Sequence, residues 1–276
     1  MEEKRKHHRG RRKRKGSALS NVILVIAVAV FIFSAYKLIS IYSEYHKGDQ
    51  EYDSIAEDAI EVQEPQEEET VKGEEGQKPR VHASLKVDFE KLKKVNKDVV
   101  AWIQFDEPER ISYPIVKGED NDKYLTTTYE GKKNSSGAIF MDANNSGEFA
   151  DRNTFIYGHN MKNGSMFGQL RKFKTKDYYE QNPYFYIYTP DGKEVKYQIF
   201  AVCIVEDTSE SYTRFYNSDE EYLDYLNYIK SIARYDTGVE LNAESKFVSL
   251  STCTNVSETQ RLLVHGVKIS ETVVGE

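Results

Sequence analysis

The sequence predicts a mostly β domain of closed-barrel type with flanking helices, preceded by one N-terminal transmembrane helix. Short apolar runs bounded by turn residues follow one another from Val99 to Ile269, which is the pattern of a many-stranded domain. After residue 81, two segments carry apolar residues at helical spacing, so we expect few helices. Aromatic residues form 12% of the 276 residues, and this content indicates a packed core.

The N-terminal segment predicts a membrane anchor. Residues 1–17 form a basic tail with a dense run of Lys and Arg between Lys4 and Lys15. Residues 18–42 follow as an apolar run, charged only at Lys37, that is long enough to span a bilayer as a helix. Basic residues before the run and acidic residues after it predict a cytoplasmic N-terminus and an extracellular remainder. A cleaved signal peptide is the alternative; Phe33-Ser34-Ala35 is a poor cleavage site, and both readings export the folded part.

Residues 43–81 predict a disordered acidic linker, and residues 82–276 the folded domain. The stretch from Glu57 to Glu75 is dense in carboxylates and has no apolar periodicity, so we expect an extended spacer. The net charge of −7 includes the basic tail, so the rest of the chain is strongly acidic. A folded part of that charge lacks the basic face that nucleic-acid binding requires.

Within the folded domain, a short helix is predicted at residues 88–96 and a longer one at residues 219–234, with Asp219 as the N-cap of the second. Pro190-Asp191-Gly192 predicts a hairpin between two of the strands. The predicted strands are Val99–Phe105, Ile111–Lys117, Ala138–Asp142, Thr154–His159, Tyr184–Thr189, Lys193–Glu206, Lys246–Thr252 and Arg261–Ile269.

Cys253 is the strongest candidate for a reactive side chain. It ends an apolar strand that turns polar at Ser249-Leu250-Ser251-Thr252, and a thiol at a strand end is held rigidly yet open to substrate. A buried structural cysteine is the alternative, but a core strand avoids so many hydroxyl groups. A disulfide with Cys203 is another alternative for an exported chain, although a domain with this aromatic core does not need one.

His159 and Arg261 are the candidate partners of that thiol. His159 also ends a predicted strand, whereas His265 lies in the middle of one, where a packed structural role is typical, so His159 is favoured. Arg261 follows Cys253 by eight residues and opens an antiparallel strand beside it. A thiol nucleophile needs an acid–base partner, and acyl transfer needs a donor that stabilises an oxyanion.

At these residues the sequence resembles the class B sortases, membrane-anchored cysteine transpeptidases of Gram-positive bacteria. Their signature is Thr-Leu-x-Thr-Cys with a downstream Arg, and residues 249–253 read Ser-Leu-Ser-Thr-Cys, which differs at the first position. The resemblance covers about residues 85–270. It includes the segments Trp102-Ile103, Tyr113–Val116, Asp120–Leu125, Gly137–Asp142 and Asn153–Met161.

The resemblance implies an eight-stranded barrel and a two-step acyl transfer without metal or organic cofactor. Cys253 would attack the Thr carbonyl of an NPxTx-like C-terminal sorting signal, His159 would protonate the leaving amine, and Arg261 would stabilise the oxyanion. An amine of a peptidoglycan precursor or a pilin subunit would then resolve the thioester. The implied substrate-binding residues are Asn121, Leu125, Thr208, Tyr212, Thr213, Ser251 and Thr252.

Two other functions remain open from the residues alone. The same side chains would serve a cysteine peptidase that passes the acyl group to water. A membrane-anchored adhesion or ligand-binding β domain would instead use Cys253 only as a structural residue.

Overall fold

The computed structural model describes residues 17–63, 66–67 and 81–274. The predicted basic tail lies outside the described residues, except for Ser17. The helices are α1 (Ser17–Ala59), α2 (Phe89–Val95), α3 (Lys176–Gln181) and α4 (Asp219–Ser231). The strands are β1 (Ile60–Val62), β2 (Gln66–Glu67), β3 (Val81–His82), β4 (Leu85–Val87), β5 (Val99–Gln104), β6 (Ser112–Val116), β7 (Ile139–Met141), β8 (Asn153–Tyr157), β9 (Tyr184–Thr189), β10 (Lys193–Glu206), β11 (Phe247–Cys253) and β12 (Gln260–Val273).

Eight of these strands close into a barrel in the order β10-β12-β11-β8-β7-β6-β5-β9, which confirms the predicted fold class. Most neighbours are antiparallel, but β11 pairs with β8 in parallel, and β6 pairs with β7 in parallel. Two short two-stranded sheets, β1-β4 and β2-β3, lie outside the barrel. The predicted hairpin at Pro190-Asp191-Gly192 joins β9 to β10.

The barrel strands agree with the sequence prediction to within a few residues. Most of their residues are buried at consecutive positions, so these strands appear in the sequence as short apolar runs bounded by turn residues. The last strand is longer than predicted and runs to Val273. The long helix begins after Ser218, whose side chain accepts a hydrogen bond from the backbone N–H of Glu221, so Ser218 rather than Asp219 is its N-cap. Helix α3 and the 3₁₀ segment Gly168–Lys174 were not predicted.

The predicted linker is wrong over its first part. Helix α1 continues into the predicted linker as far as Ala59, and Tyr52, Ile55 and Ala59 lie in the hydrophobic core with at most 7% of their surface exposed. These three residues are spaced i, i+3 and i+7, so they lie on one face of the helix. Acidic residues on the other faces obscured that short apolar stripe. Residues 64–65 and 68–80 of the predicted linker lie outside the described residues.

The chain divides after Glu44 into two units, Met1–Glu44 and Tyr45–Glu276. In the first unit the large apolar side chains from Val22 to Tyr42 are exposed, and α1 is long and apolar enough to cross a membrane. In the second unit the main core fills the barrel, and a smaller core lies between α4 and the strands β10, β11 and β12.

Candidate active site

Cys253 is the last residue of β11 and lies directly opposite Arg261 of β12. The four residues before Cys253 are buried, whereas Cys253 itself is partly exposed. Strand β11 therefore runs outward from the core and ends at the rim of the barrel, where the thiol of Cys253 lies. Directly opposed side chains on antiparallel strands have Cβ atoms about 5 Å apart, so the thiol and the guanidinium group share one end of the hairpin.

The topology brings His159 to the same rim. Strand β8 is the parallel neighbour of β11, with Tyr157 opposite Ser251, so the two strands end side by side. Gly158 N–H then donates to the Ser251 carbonyl at 3.1 Å. A Cβ atom at Gly158 would lie 2.4 Å from Ile139 Cδ1 and 2.8 Å from the ring of Phe167, so any larger residue would displace these buried side chains.

The imidazole of His159 is held in a fixed orientation. Its Nε2 lies 2.7 Å from the Leu125 carbonyl oxygen. Because a carbonyl oxygen can only accept, Nε2 carries the hydrogen and donates it. The next side chain, Asn160, donates from Nδ2 to the carbonyl oxygen of Cys253 at 2.7 Å. The loop after β8 is thereby tied to the end of β11.

Three hydrogen-bond acceptors hold the guanidinium group of Arg261 in place. Its Nη1 donates to the carbonyl oxygens of Glu258 and Gln260 at 2.6 and 3.2 Å, and its Nη2 donates to Asp207 Oδ2 at 3.1 Å. A guanidinium group has five N–H donors, so these contacts among the described residues leave two for a substrate oxygen.

One pocket of about 320 Å³ joins these three side chains. Its lining residues are Asn121, Asp122, Leu125, Phe140, Tyr157, Gly158, His159, Ser251, Thr252, Cys253 and Arg261. All three predicted catalytic residues are among them, together with four of the seven predicted substrate-binding residues. The described residues contain no cluster of three or more His, Cys, Asp or Glu side chains that could hold a metal ion.

The remaining predicted substrate-binding residues lie in the segment between β10 and α4, residues 207–218, which we call the substrate loop. Tyr212 reaches the pocket wall through a hydrogen bond of 2.8 Å between its hydroxyl and Ser251 Oγ. Thr208 is exposed, and Thr213 bonds within the loop to the Glu210 carbonyl oxygen. Thr208 and Thr213 do not line the pocket.

The rejected candidates are buried. His265 is fully buried, its Nδ1 lies 2.8 Å from Ser249 Oγ, and burial lowers its pKa to about 3, so it is a neutral core residue. Cys203 is a free thiol on β10, and burial raises its pKa to about 12, so it stays protonated. Cys253 is also free. Strand β12 lies between the two cysteine-bearing strands.

The sequence prediction did not single out several residues of the site. Phe140 and Tyr157 line the pocket, and Asn160 contacts the Cys253 carbonyl. A fully buried carboxylate, Asp142, contacts Tyr157 and Asn121 behind the pocket. These residues all lie in segments that carry the family resemblance, but single positions within an apolar strand give no sign of which face they occupy relative to a site.

Comparison with known proteins assigns the family. Residues 106–269 match the family profile described as Sortase domain. The chain is 32% identical over 261 residues to Sortase B of Listeria monocytogenes, covering 92% of this chain and 98% of the relative. It is 27% identical over 251 residues to Sortase B of Staphylococcus aureus, covering 90% and 95% of the two chains.

Solved structures support the same family assignment. A sortase B from B. anthracis superposes with a TM-score of 0.67 at 29% identity, covering 83% of this chain and all of that one. Sortase B from Listeria monocytogenes gives a TM-score of 0.58 at 36% identity, covering 65% of this chain and 99% of the other. A profile match over more than half of the sequence, near full-length relatives and the shared barrel lead to one conclusion: this chain belongs to the sortase family of cysteine transpeptidases, and its relatives in these comparisons are sortases B.

Proposed function

We propose that this chain is a membrane-anchored sortase that cleaves an NPxTx-like C-terminal sorting signal of exported proteins at the Thr residue. Cys253 is the nucleophile, His159 the general acid and base, and Arg261 the oxyanion stabiliser. The acyl group passes to an amine of a peptidoglycan precursor or of a pilin subunit. The observation that best supports this proposal is that Cys253 and Arg261 are cross-strand partners that share one pocket with His159.

In the first step, Cys253 Sγ attacks the Thr carbonyl carbon as a thiolate and forms a carbon–sulfur bond. The carbonyl electron pair moves to oxygen, where the free N–H donors of Arg261 stabilise the negative charge more strongly than they stabilise a neutral carbonyl. Collapse of this intermediate breaks the peptide C–N bond. His159 donates a proton to the leaving amine, and a thioester remains on Cys253.

In the second step, the acceptor amine attacks the thioester carbonyl and His159 takes its proton. The carbon–sulfur bond breaks, the thiolate is regenerated and a new amide is released. The bond from His159 Nε2 to Leu125 O leaves Nδ1 as the nitrogen that exchanges protons with the reactants.

Two groups of residues are proposed to recognise the substrate: residues that line the pocket and residues of the substrate loop. Asn121, Leu125, Ser251 and Thr252 line the pocket itself. Thr252 Oγ1 is buried without a hydrogen-bond partner among the described residues, so we expect Thr252 to contact a peptide through the atoms that line the pocket rather than through this hydroxyl. Thr208, Tyr212 and Thr213 contact the peptide from the substrate loop. A Staphylococcus aureus sortase B that is 28% identical to this chain has been solved as a substrate complex, which supports substrate binding by this chain.

The anchor is proposed to hold the catalytic domain outside the cell. Residues 1–17 are cytoplasmic, and the apolar part of α1 crosses the membrane once. The exposed apolar side chains from Val22 to Tyr42 support this arrangement, because a helix that is apolar on all sides is stable only in a lipid or protein interior. Protease added to intact cells is expected to degrade the catalytic domain; full protection would contradict an extracellular location.

The decisive experiment uses the full chain in detergent micelles with a panel of quenched fluorescent NPxTx-type peptides, with and without oligoglycine or diaminopimelate. Mass spectrometry identifies the products. Cys253→Ala and His159→Ala are expected to abolish both cleavage and transfer. Cys203→Ala is the matched control, since it removes the other free thiol of the chain, which lies outside the pocket.

The outcomes separate the alternatives. An amide-linked transfer product supports the transpeptidase and identifies the signal. Hydrolysis that no amine diverts favours a cysteine peptidase. No cleavage, together with a Cys253 that resists a methanethiosulfonate reagent, would leave an anchored binding domain as the better account.

A further inference from the structure

Asp142 is a carboxylate that follows β7 and is completely buried behind the pocket. Five hydrogen bonds converge on it. Its Oδ1 accepts from the backbone N–H of Asn144 at 2.9 Å and from the Asn144 side chain at 3.0 Å. Its Oδ2 accepts from Tyr157 Oη at 2.8 Å, Arg214 Nη1 at 2.8 Å and Asn121 Nδ2 at 3.2 Å.

The three donors to Oδ2 come from three separate segments around the pocket. Asn121 precedes the 3₁₀ turn Lys123–Leu125, and Tyr157 ends β8; both side chains line the pocket. Arg214 belongs to the substrate loop and directly follows Thr213. One buried oxygen atom, Asp142 Oδ2, therefore connects the pocket wall at Asn121, the end of β8 at Tyr157 and the substrate loop at Arg214.

Arg214 carries the positive charge of this cluster. Burial of a carboxylate in a protein interior is costly unless a partner charge and hydrogen bonds compensate it. Burial would raise the pKa of Asp142, but hydrogen bonds from Asn144 and Tyr157 and the charge of Arg214 outweigh it, and the pKa is lowered. Burial and the Asp142 charge raise the pKa of Tyr157, so its hydroxyl keeps its proton and donates.

Asn121 is oriented on both sides by this arrangement. Its Nδ2 donates to Asp142, and its Oδ1 accepts from the backbone N–H of Ala143 at 2.8 Å. The amide cannot rotate without breaking both bonds. Among the described residues the second Nδ2 hydrogen has no acceptor, so it is able to donate to a peptide in the pocket.

We propose that Asp142 is a positioning residue for peptide recognition, whose carboxylate holds Asn121, Tyr157 and the substrate loop in their binding geometry before the peptide arrives. The inference rests on the proposed function and deepens it. A preformed groove spares the peptide the cost of ordering its walls, and it rejects side chains that do not fit. Loss of the carboxylate therefore weakens binding and discrimination, while the chemistry at Cys253 continues.

The cluster is separate from the reacting side chains. No hydrogen bond among the described residues joins Asp142 or Arg214 to Cys253, His159 or Arg261. A readout of substrate binding and a readout of thiol chemistry are thus expected to respond differently to a change at Asp142.

The test compares Asp142→Asn with the wild-type full chain in detergent micelles, using the peptide that the wild type cleaves best and its single-residue variants. Asparagine keeps the volume of the side chain and removes the charge that pairs with Arg214. We expect KM to rise about tenfold or more while kcat changes by less than about threefold, because a lost charged pair behind the pocket affects binding rather than the transition state. The ratio of kcat/KM between the best peptide and its variants is expected to fall.

Three further variants make the test specific. Arg214→Gln removes the other half of the ion pair and is expected to act in the same direction, and the double variant is expected to be less impaired than the product of the two single effects. Asp219→Asn is the matched control, because Asp219 pairs with Arg152 at the start of α4, outside the pocket lining. Its KM is expected to stay at the wild-type value.

The rate of Cys253 alkylation by a methanethiosulfonate reagent is measured for every variant and is expected to be unchanged. An unchanged KM and unchanged discrimination in Asp142→Asn, or a fall in kcat alone, would overturn the inference while leaving the proposed function intact. If Asp142→Asn does not fold, as judged by its thermal unfolding transition, Arg214→Gln decides by the same criteria. A wild-type chain that cleaves no peptide would overturn the proposed function and this inference with it.

Discussion

The amide of Asn160 donates a 2.7 Å hydrogen bond to the backbone carbonyl oxygen of Cys253, across a sequence separation of 93 residues. The contact joins the residue after the candidate acid–base to the residue that carries the candidate nucleophile. The same loop closes on itself through a hydrogen bond from Phe167 N–H to the His159 carbonyl oxygen at 2.9 Å. The amide of Asn160 thus adds a side-chain contact to the pairing of β8 with β11 that sets the relative position of His159 and Cys253.

Asn160→Ala is expected to lower kcat about fivefold with little change in KM, because a hydrogen bond worth about 1 kcal/mol helps to align the two reacting groups. Steady-state kinetics with the best peptide measure both constants. Asn163→Ala is the matched control in the same loop, since its amide bonds to Asp49 instead. Equal losses of kcat in the two variants would indicate a general effect of the loop and contradict the specific role of Asn160.

Arg261→Lys is expected to lower kcat about 100-fold, because lysine keeps the charge but lacks the second directed donor that an oxyanion engages. The Asp207 carboxylate braces the arginine from the exposed side, so Asp207→Asn is expected to cost less than about fivefold, as a solvent-exposed ion pair is worth up to about 1 kcal/mol. Single-turnover measurement of thioester formation separates this step from amine transfer. A lysine variant with wild-type acylation would show that Arg261 does not act on the oxyanion.

The contacts of His82 predict that the stability of the folded domain depends on pH. Its Nδ1 lies 2.8 Å from Asp106 and its Nε2 lies 3.2 Å from Glu194, and its ring stacks on Tyr186. Burial alone would lower the pKa of His82, but the hydrogen bonds to Asp106 and Glu194 raise it from 6.5 to about 9. Because the folded-state pKa is the higher one, the stabilisation is complete below pH 6.5 and is lost as the pH rises through about 9.

Urea unfolding of wild type and His82→Gln at pH values between 6 and 10 tests this linkage. The difference in the free energy of unfolding between the two proteins is expected to shrink as the pH rises, because glutamine does not titrate. A difference that stays constant over the whole range would rule out a protonated His82 in the folded state.

The second half of α1 is expected to stabilise the catalytic domain. Tyr52 and Ile55 are buried, and the Tyr52 hydroxyl donates to the Gly137 carbonyl oxygen at 2.7 Å and accepts from Tyr129 N–H at 3.2 Å. A soluble chain that begins at His82 lacks both side chains. We expect it to lose about 3–6 kcal/mol of unfolding free energy relative to one that begins at Tyr45, at about 1.5–3 kcal/mol for each large buried side chain.

Tyr52→Phe in the longer chain isolates the hydroxyl and is expected to cost about 1–3 kcal/mol, because its loss leaves a buried carbonyl and a buried N–H unpaired. Urea unfolding curves of the three proteins measure these differences. Equal stability of the two chain lengths would contradict a structural role for this part of α1.

The barrel strands and the three candidate catalytic residues could be predicted from the sequence for a physical reason. Strands β8 and β11 are buried at every position before their last, so each appears as a short run of buried residues, and a reactive side chain at or just after its end marks the boundary, as at Cys253 and His159. The sequence does not show that Cys253 and His159 lie close together. Strands β8 and β11 are far apart in sequence and become neighbours only when the barrel closes.

The sequence by itself determined the class of fold, the apolar anchor and the candidate nucleophile, since each of these is a local pattern of residue types. Tertiary structure alone decided that α1 continues to Ala59, that Asn160 holds the Cys253 carbonyl, and that Asp142 joins three segments behind the pocket. These features depend on contacts between residues distant in the chain. The apolar stripe of α1 is short and interrupted by acidic residues, and side-chain hydrogen bonds such as those of Asn160 and Asp142 leave no periodic trace in the sequence, because each partner is free to lie in any neighbouring element.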